Sequence, residues 1–239
     1  GTDTFTVVLD TQPSIDVVLS LTSQDIGEVT VSPATLTFTN SNWNVTQQVT
    51  VTGVNDDLVD GSISTDIVLS VIDIASDDSF DNVSDQSITV ITTSEDVAGF
   101  TLTVVNANID GGITVTEAAS SGTFTAILNA KPYTNVVLTV TSQDTEEVTV
   151  SPSTLTFTSE NWDTAQTVTV TGVDDNIIDG NINTDITISI NTMTNPRDTA
   201  FDGVGMQTVT VTNIDDDTPG FTITQSGGST SVGEAGTTD

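Results

Sequence analysis

The chemistry open to this chain is that of carboxylates. It carries 34 Asp and Glu against two basic residues, Lys131 and Arg197, and contains neither His nor Cys. Zinc–imidazole sites, Ser-His-Asp triads, thiolate nucleophiles, disulfides and the usual neutral-pH proton shuttle are thereby excluded. Clustered carboxylates instead hold hard cations. Ca²⁺ accepts roughly six to eight oxygen ligands in flexible geometry and suits such a cluster better than Mg²⁺. The candidate ligands in the second half are Glu117, Asp144, Asp174, Asp175, Asp179, Asp215, Asp216 and Asp217. Any one of these groups, taken alone, reads as a solvated turn, because Asp favours turns. There is no EF-hand loop and no glycine-rich calcium-binding nonapeptide.

The formal net charge of −32 narrows the partners. Phosphate binding needs clustered Lys and Arg, so nucleic acid is excluded, and an anionic membrane surface repels the chain. So many like charges also repel one another in a compact fold unless salt or bound cations screen them. Divalent cations and adaptation to high salt both meet that need. No segment is long and apolar enough to span a bilayer, and no signal peptide is present. Direct membrane insertion is not expected.

The elements that position these carboxylates come in two copies. Thr4-Phe5-Thr6, Pro13, Thr22-Ser23-Gln24-Asp25, Ser32-Pro33, Trp43, Gly53 and Asp60-Gly61 recur as Thr123-Phe124-Thr125, Pro132, Thr141-Ser142-Gln143-Asp144, Ser151-Pro152, Trp162, Gly172 and Asp179-Gly180. The offset is 119 residues (162 − 43), becoming 121 where Phe80-Asp81 meets Phe201-Asp202. More than half the positions from 4 to 60 equal their partners. Fixed-period similarity of this kind marks a tandem array. The repeat limits are 1–97 and 98–218, with 219–239 as the first strand of a following repeat. The chain begins and ends inside a repeat, which reads as an excerpt or a processed piece.

Within the second copy, alternating apolar and polar residues predict strands at Ile113–Glu117, Thr123–Leu128, Asn135–Thr141, Glu147–Val150 with Thr154–Thr158, Gln166–Thr171, Thr184–Ile190 and Gln207–Thr212. Abundant Thr and Val favour strands, since a branched Cβ packs well on a pleated surface. The prediction is all-β, with two tandem immunoglobulin-like sandwiches end to end. Phe157 and Trp162, with Phe38 and Trp43, are the expected core anchors. If the strands run alternately up and down, the acidic groups all follow odd strands. Glu117, Asp144, the Asp174–Asp179 group and Asp215–Asp217 then gather at one pole.

These residues resemble the Calx-beta family of calcium-binding sandwiches. The likeness is carried by Val115-Thr116-Glu117, Gly122-Thr123-Phe124-Thr125, Leu155-Thr156-Phe157, Val168-Thr169-Val170-Thr171-Gly172-Val173-Asp174-Asp175 and Asp215-Asp216-Asp217. It implies that Glu117, Asp144, Asp174, Asp175 and Asp215 to Asp217 hold calcium. Asp179 stands where the family's acidic residue follows the double Asp. The first copy departs from the pattern, with Asn55-Asp56-Asp57 and Ser94-Glu95-Asp96. Its candidate ligands are Asp25, Asp56, Asp57, Asp60, Glu95 and Asp96, and fewer or weaker sites are expected there.

With that resemblance, the expected function is a calcium-stiffened structural or adhesive repeat of an extracellular, cell-surface stalk, filament or surface layer, with no catalytic residue. Its partners are neighbouring copies of itself. The alternative is an adhesin module whose loops bind sugar, ice or another cell surface. One further mismatch concerns the ends. The first copy begins with Gly1-Thr2-Asp3-Thr4-Phe5, without the strand that precedes Phe124, while Ser231-Val232-Gly233-Glu234-Ala235 repeats Thr114-Val115-Thr116-Glu117-Ala118. Strand exchange between copies is expected, with Glu234 supplying a ligand beside Asp25, Asp56, Asp57 and Asp60. An arbitrary cut within a continuous array explains the same mismatch.

Overall fold

The computed structural model describes residues 1–118 and 120–228. The protein is all-β. Seven strands form the first sandwich: β1 (Thr2–Val7), β2 (Val17–Ser23), β3 (Val29–Ser32), β4 (Thr35–Phe38), β5 (Gln47–Gly53), β6 (Ser62–Val71) and β7 (Gln86–Thr93). The sheet β1-β5-β3 stands against the sheet β4-β2-β6-β7. Nine strands form the second: β8 (Phe100–Val105), β9 (Ile113–Thr116), β10 (Ser121–Leu128), β11 (Val136–Ser142), β12 (Val148–Ser151), β13 (Thr154–Phe157), β14 (Gln166–Gly172), β15 (Ile182–Ile190) and β16 (Gln207–Ile214). Their sheets run β12-β14-β10-β8 and β13-β11-β15-β16-β9.

Alternation sets which face is dry. In β14, Val168 and Val170 are buried while the intervening Thr residues are not. The second core centres on Phe124, Phe157 and Phe201, all fully buried, with Leu138, Ile186 and Ile188. The first core is looser and splits into two clusters, around Phe38 and Val49 and around Val29 and Ile67. Phe5 and Phe80, the counterparts of Phe124 and Phe201, are only half-buried.

Three features depart from the sequence expectation. β8 is an additional strand, pairing antiparallel with the outer edge of β10, where Phe124 lies opposite Val104. The stretch from Glu147 to Thr158 divides at Ser151-Pro152-Ser153, so that β12 joins one sheet and β13 the other. Pro152 lacks the N–H that an unbroken ladder requires. Trp43 and Trp162 are half-buried, not central. They lie in the turns ahead of β5 and β14, where their carbonyls accept the Leu9 and Leu128 N–H groups, both at 3.1 Å.

The two sandwiches touch through the loop after β5. Leu58 bridges to Lys131, whose N–H donates to the Asp57 carbonyl at 2.7 Å. Val59 packs against the second core.

Asp77 is the most heavily hydrogen-bonded carboxylate of the first sandwich. It is 5 % exposed and accepts the Ser14 N–H (2.7 Å), the Ser14 hydroxyl (2.6 Å), the Ile15 N–H (3.3 Å) and the Ser79 N–H (3.0 Å). Bonds from Ser14 and then Ser79 hold its pKa well below the ordinary 3.8. A depressed folded pKa contributes stability that is present above the unfolded value and lost as pH falls through the folded one. Asp77→Asn is therefore expected to lower stability near neutrality and to flatten its acid dependence below about pH 4. Urea unfolding from pH 2 to 7 checks this, and parallel curves for the two proteins would contradict it.

Candidate metal centre

β9 and β16 run parallel, with Ile113 opposite Val211 and Thr116 opposite Ile214. Parallel neighbours end at the same pole, so Glu117 and Asp215, the next residue of each, emerge side by side. The Glu117 N–H donates to the Ile214 carbonyl at 3.1 Å and continues the ladder. Asp217 completes the group, with one carboxylate oxygen from each residue within 4.8 Å of the others. The Asp217 N–H (2.7 Å) and the Gly180 N–H (2.8 Å) donate to the two Asp215 oxygens and fix that side chain.

Glu117 is only 1 % exposed, and its Oε2 has no hydrogen-bond partner. Asp217 Oδ2 is likewise buried and unpartnered. Burial pushes the Glu117 carboxyl above its ordinary value, reinforced by Asp215, Asp175 and Asp179 and opposed by a backbone bond from Asp216. Asp217 is raised by burial and then by Asp215, Asp216, Asp175 and Asp174. Removing a carboxylate from water without a compensating partner costs several kcal/mol. No protein cation offsets it. Among the described residues the one ion pair is Arg197–Asp202, at 2.9 Å, and neither residue belongs to the group.

A second group lies beside the first. Glu147, Asp175 and Asp179 also bring carboxylate oxygens within 4.8 Å. Between the two groups stands Asn213, fully buried, whose Nδ2 donates to the Glu147 carbonyl and Oε2 (both 3.2 Å) and to the Val173 carbonyl (3.3 Å). Its Oδ1 has no partner. Buried polar atoms are nearly always satisfied, so three orphaned oxygens at one pole call for a ligand. Ca²⁺–oxygen distances of about 2.3–2.6 Å place opposing ligands about 5 Å apart, so oxygens lying within 4.8 Å of one another can share one ion.

The first sandwich has a related group, Glu28, Asp56 and Asp60. It lies along an open groove of about 400 Å³ that also reaches Thr92, Glu95 and Asp96. Burial raises the Asp96 pKa, helped by Asp57, Asp56 and Glu95.

Of the residues nominated from sequence, Glu117, Asp175, Asp179, Asp215 and Asp217 come together, as do Asp56 and Asp60. Asp174, Asp216, Asp57, Glu95 and Asp96 flank these groups without joining a cluster of three. Asp25 and Asp144 shape turns. Asp25 Oδ1 accepts the Gly27 N–H (2.9 Å) and Asp144 Oδ1 the Glu146 N–H (3.0 Å), while their carbonyls accept Val29 and Val148. Glu234 lies outside the described residues. Glu28, Glu147 and Asn213 are additions. Glu28 and Glu147 are equivalent positions of the two copies, and that shared Glu is the signal that marks them.

No family model matches the sequence and no curated protein does, so the Calx-beta resemblance rests on the motifs quoted above. Among solved structures, the chain is similar to the S-layer protein rSbsC(31-844), with 19 % identity and a TM-score of 0.36 over 82 % of this chain and 20 % of that one. It is similar to domains 4 and 5 of SbsC at 18 % identity and TM-score 0.35, covering 82 % and 70 %. A protein of unknown function from Porphyromonas gingivalis W83 follows at 11 % identity and TM-score 0.31, covering 90 % and 91 %. The chain thus spans about a fifth of rSbsC(31-844). Scores this low transfer nothing from those proteins to this one.

Proposed function

We propose that this chain is a calcium-stiffened structural repeat of an extracellular surface assembly, such as a stalk, filament or surface layer. The observation that carries the reading is Glu117, a buried carboxylate that has an orphaned oxygen and is clustered with Asp215 and Asp217. A divalent cation supplies the missing charge and the missing ligand contacts in one step. Glu117, Asp215 and Asp217 would hold one ion and Glu147, Asp175 and Asp179 another, with the Asn213 oxygen within the same pole. The Calx-beta resemblance implies the same ion. No group here is assigned a catalytic role; the partners are neighbouring copies.

Stiffening follows from where the first sandwich keeps its acids. Asp56 and Asp57 adjoin Leu58, which bridges to the second sandwich at Lys131. A cation on Glu28, Asp56 and Asp60 anchors the base of that contact and screens repulsion across it. Small-angle scattering of the chain in calcium is expected to give a longer maximum dimension and a narrower distance distribution than in chelator. Superimposable curves in the two conditions would refute the stiffening role.

A further inference from the structure

We propose that the Asp60-Gly61 linkage of the first sandwich is a site of spontaneous isoaspartate formation, and that the change takes apart the carboxylate group of Glu28, Asp56 and Asp60.

The chain has four Asp-Gly pairs: Asp60-Gly61, Asp110-Gly111, Asp179-Gly180 and Asp202-Gly203. In such a pair the glycine nitrogen can attack Cγ of the preceding aspartate, because glycine has no side chain to crowd the approach. The attack needs exposure, an amide that no acceptor holds and a carboxyl group free to turn. All four pairs are exposed, so the other two conditions decide between them.

Three pairs are restrained. The Gly111 N–H donates to the Asn108 carbonyl at 3.0 Å, and the Gly180 N–H to Asp215 Oδ2 at 2.8 Å. Asp202 is gripped at both oxygens by Arg197 Nε and Nη2, each at 2.9 Å. That guanidinium holds the Asp202 carboxyl below the ordinary carboxylate range, and an anion resists a nucleophile at Cγ.

Asp60-Gly61 has no such restraint. Among the described residues no group accepts the Gly61 N–H. The reason is a difference between the copies. At the 121-residue offset the position of Asp215 is taken by Ser94, whose hydroxyl donates to the Leu58 carbonyl at 3.2 Å. The Ser94 N–H donates to the Gly61 carbonyl at 2.9 Å, so Gly61 is pinned by its oxygen and free at its nitrogen. Gly61 and Gly180 share one backbone conformation, with φ of +78° and +79°. Asp179 and Gly180 are exposed too, although β9 is in place beside their sandwich's acidic pole, so the openness belongs to the loop itself.

The Gly61 nitrogen forms a bond to Asp60 Cγ. The amide hydrogen and the hydroxyl of the neutral carboxyl group leave as one water, closing a succinimide ring. Water then opens the ring. Addition at Cγ restores aspartate. Addition at the former main-chain carbonyl leaves the chain running through Cβ and Cγ, with the old main-chain carbon as the free carboxylate. One water leaves and one returns, so composition is unchanged. The oxygen that lay within 4.8 Å of those of Glu28 and Asp56 is lost from the group, since Cγ is now an amide.

Ion and modification exclude each other, a consequence that rests on the calcium reading above. A cation on Glu28, Asp56 and Asp60 engages the carboxylate and keeps Cγ from the amide. Once the new linkage has formed, the group lacks a ligand.

The full chain, held for weeks at neutral pH in chelator, is mapped by mass spectrometry for isoaspartate. The product keeps its mass in ordinary water and gains one heavy oxygen in heavy-oxygen water. One hydrogen bond of ordinary strength is worth about fivefold in rate, so Asp60 is expected to convert about fivefold faster than Asp110 or Asp179. Ser94→Asp, which offers Gly61 the acceptor that Gly180 has, should remove that difference. Asp215→Ala should bring Asp179 up to the rate of Asp60. Calcium at about ten times its dissociation constant leaves about a tenth of the sites empty and should slow Asp60 about tenfold. Converted protein should bind one ion fewer in calorimetry. Conversion at Asp60 no faster than at the other pairs would overturn the proposal. A Ser94→Asp chain that converts as fast as the wild type would overturn the role of the free amide. Undiminished calcium binding by converted protein would overturn the loss of the group. If calorimetry finds no calcium binding at all, the metal reading falls while conversion at Asp60 stands.

Discussion

Calcium added to chelator-treated protein is expected to raise the melting temperature of the second sandwich by on the order of 10 °C. An ion at a hundred times its dissociation constant stabilises the folded state by about 2.7 kcal/mol, and each kcal/mol moves a domain of this size by several degrees. The sharper form of the experiment uses Glu117→Gln. A neutral carboxamide costs less to bury than a carboxylate whose Oε2 has no partner. In chelator the variant should melt at or above the wild type, and in calcium below it, so that the order of the two proteins reverses. The raised folded pKa of Glu117 and Asp217 sets the pH dependence. Groups raised in the folded state contribute stability that is present below their unfolded pKa and lost as pH rises through the folded one. The chelated protein should therefore weaken as pH rises above the ordinary carboxylate range, while the calcium gain grows over the same interval. Melting curves that coincide from micromolar to millimolar calcium would sink the metal reading.

Gly172→Ala and Gly53→Ala should differ far more than their sequence equivalence suggests. At Gly172 a Cβ meets the Thr116 carbonyl and the Asn213 side chain, and backbone must shift to admit it. Overpacking of this kind costs about 1–3 kcal/mol or more, enough to lower melting by roughly 5–15 °C. It also moves Asn213 and the end of β9, so calcium affinity should fall with it. At Gly53 the same methyl has only ordinary contacts. There the loss of unfolded-state freedom is expected to leave stability unchanged or higher by about 0.5 kcal/mol. Equal destabilisation of the two variants would show that the pressing carbonyl is not what demands glycine.

The carboxylate pole was legible because strand direction follows from counting. Glu117 and Asp215 lie nearly a hundred positions apart, yet both follow strands of the same sense, and β9 and β16 pair in parallel. Parity could place groups at a pole but could not pair them. Glu147 reads only as the first residue of a strand until β12 is seen beside β14, with Val148 opposite Gly172. Asn213 carries no charge, and its role comes wholly from burial. β8 escaped although Phe100-Thr101-Leu102-Thr103 alternates, because its repeat partner lies at Phe221 and not within the first copy. The Trp residues misled for a physical reason: large side chains in turns cover a core's rim as readily as they fill its centre.

The parallel pairing of β9 with β16 has a mechanical consequence. A pull applied between the start of β9 and the end of β16 draws the two strands towards opposite poles. The force then runs along the strands, loading the bonds from Ile113–Thr116 to Val211–Ile214 together instead of peeling them one by one. Shear of this kind gives way only when the whole patch slips.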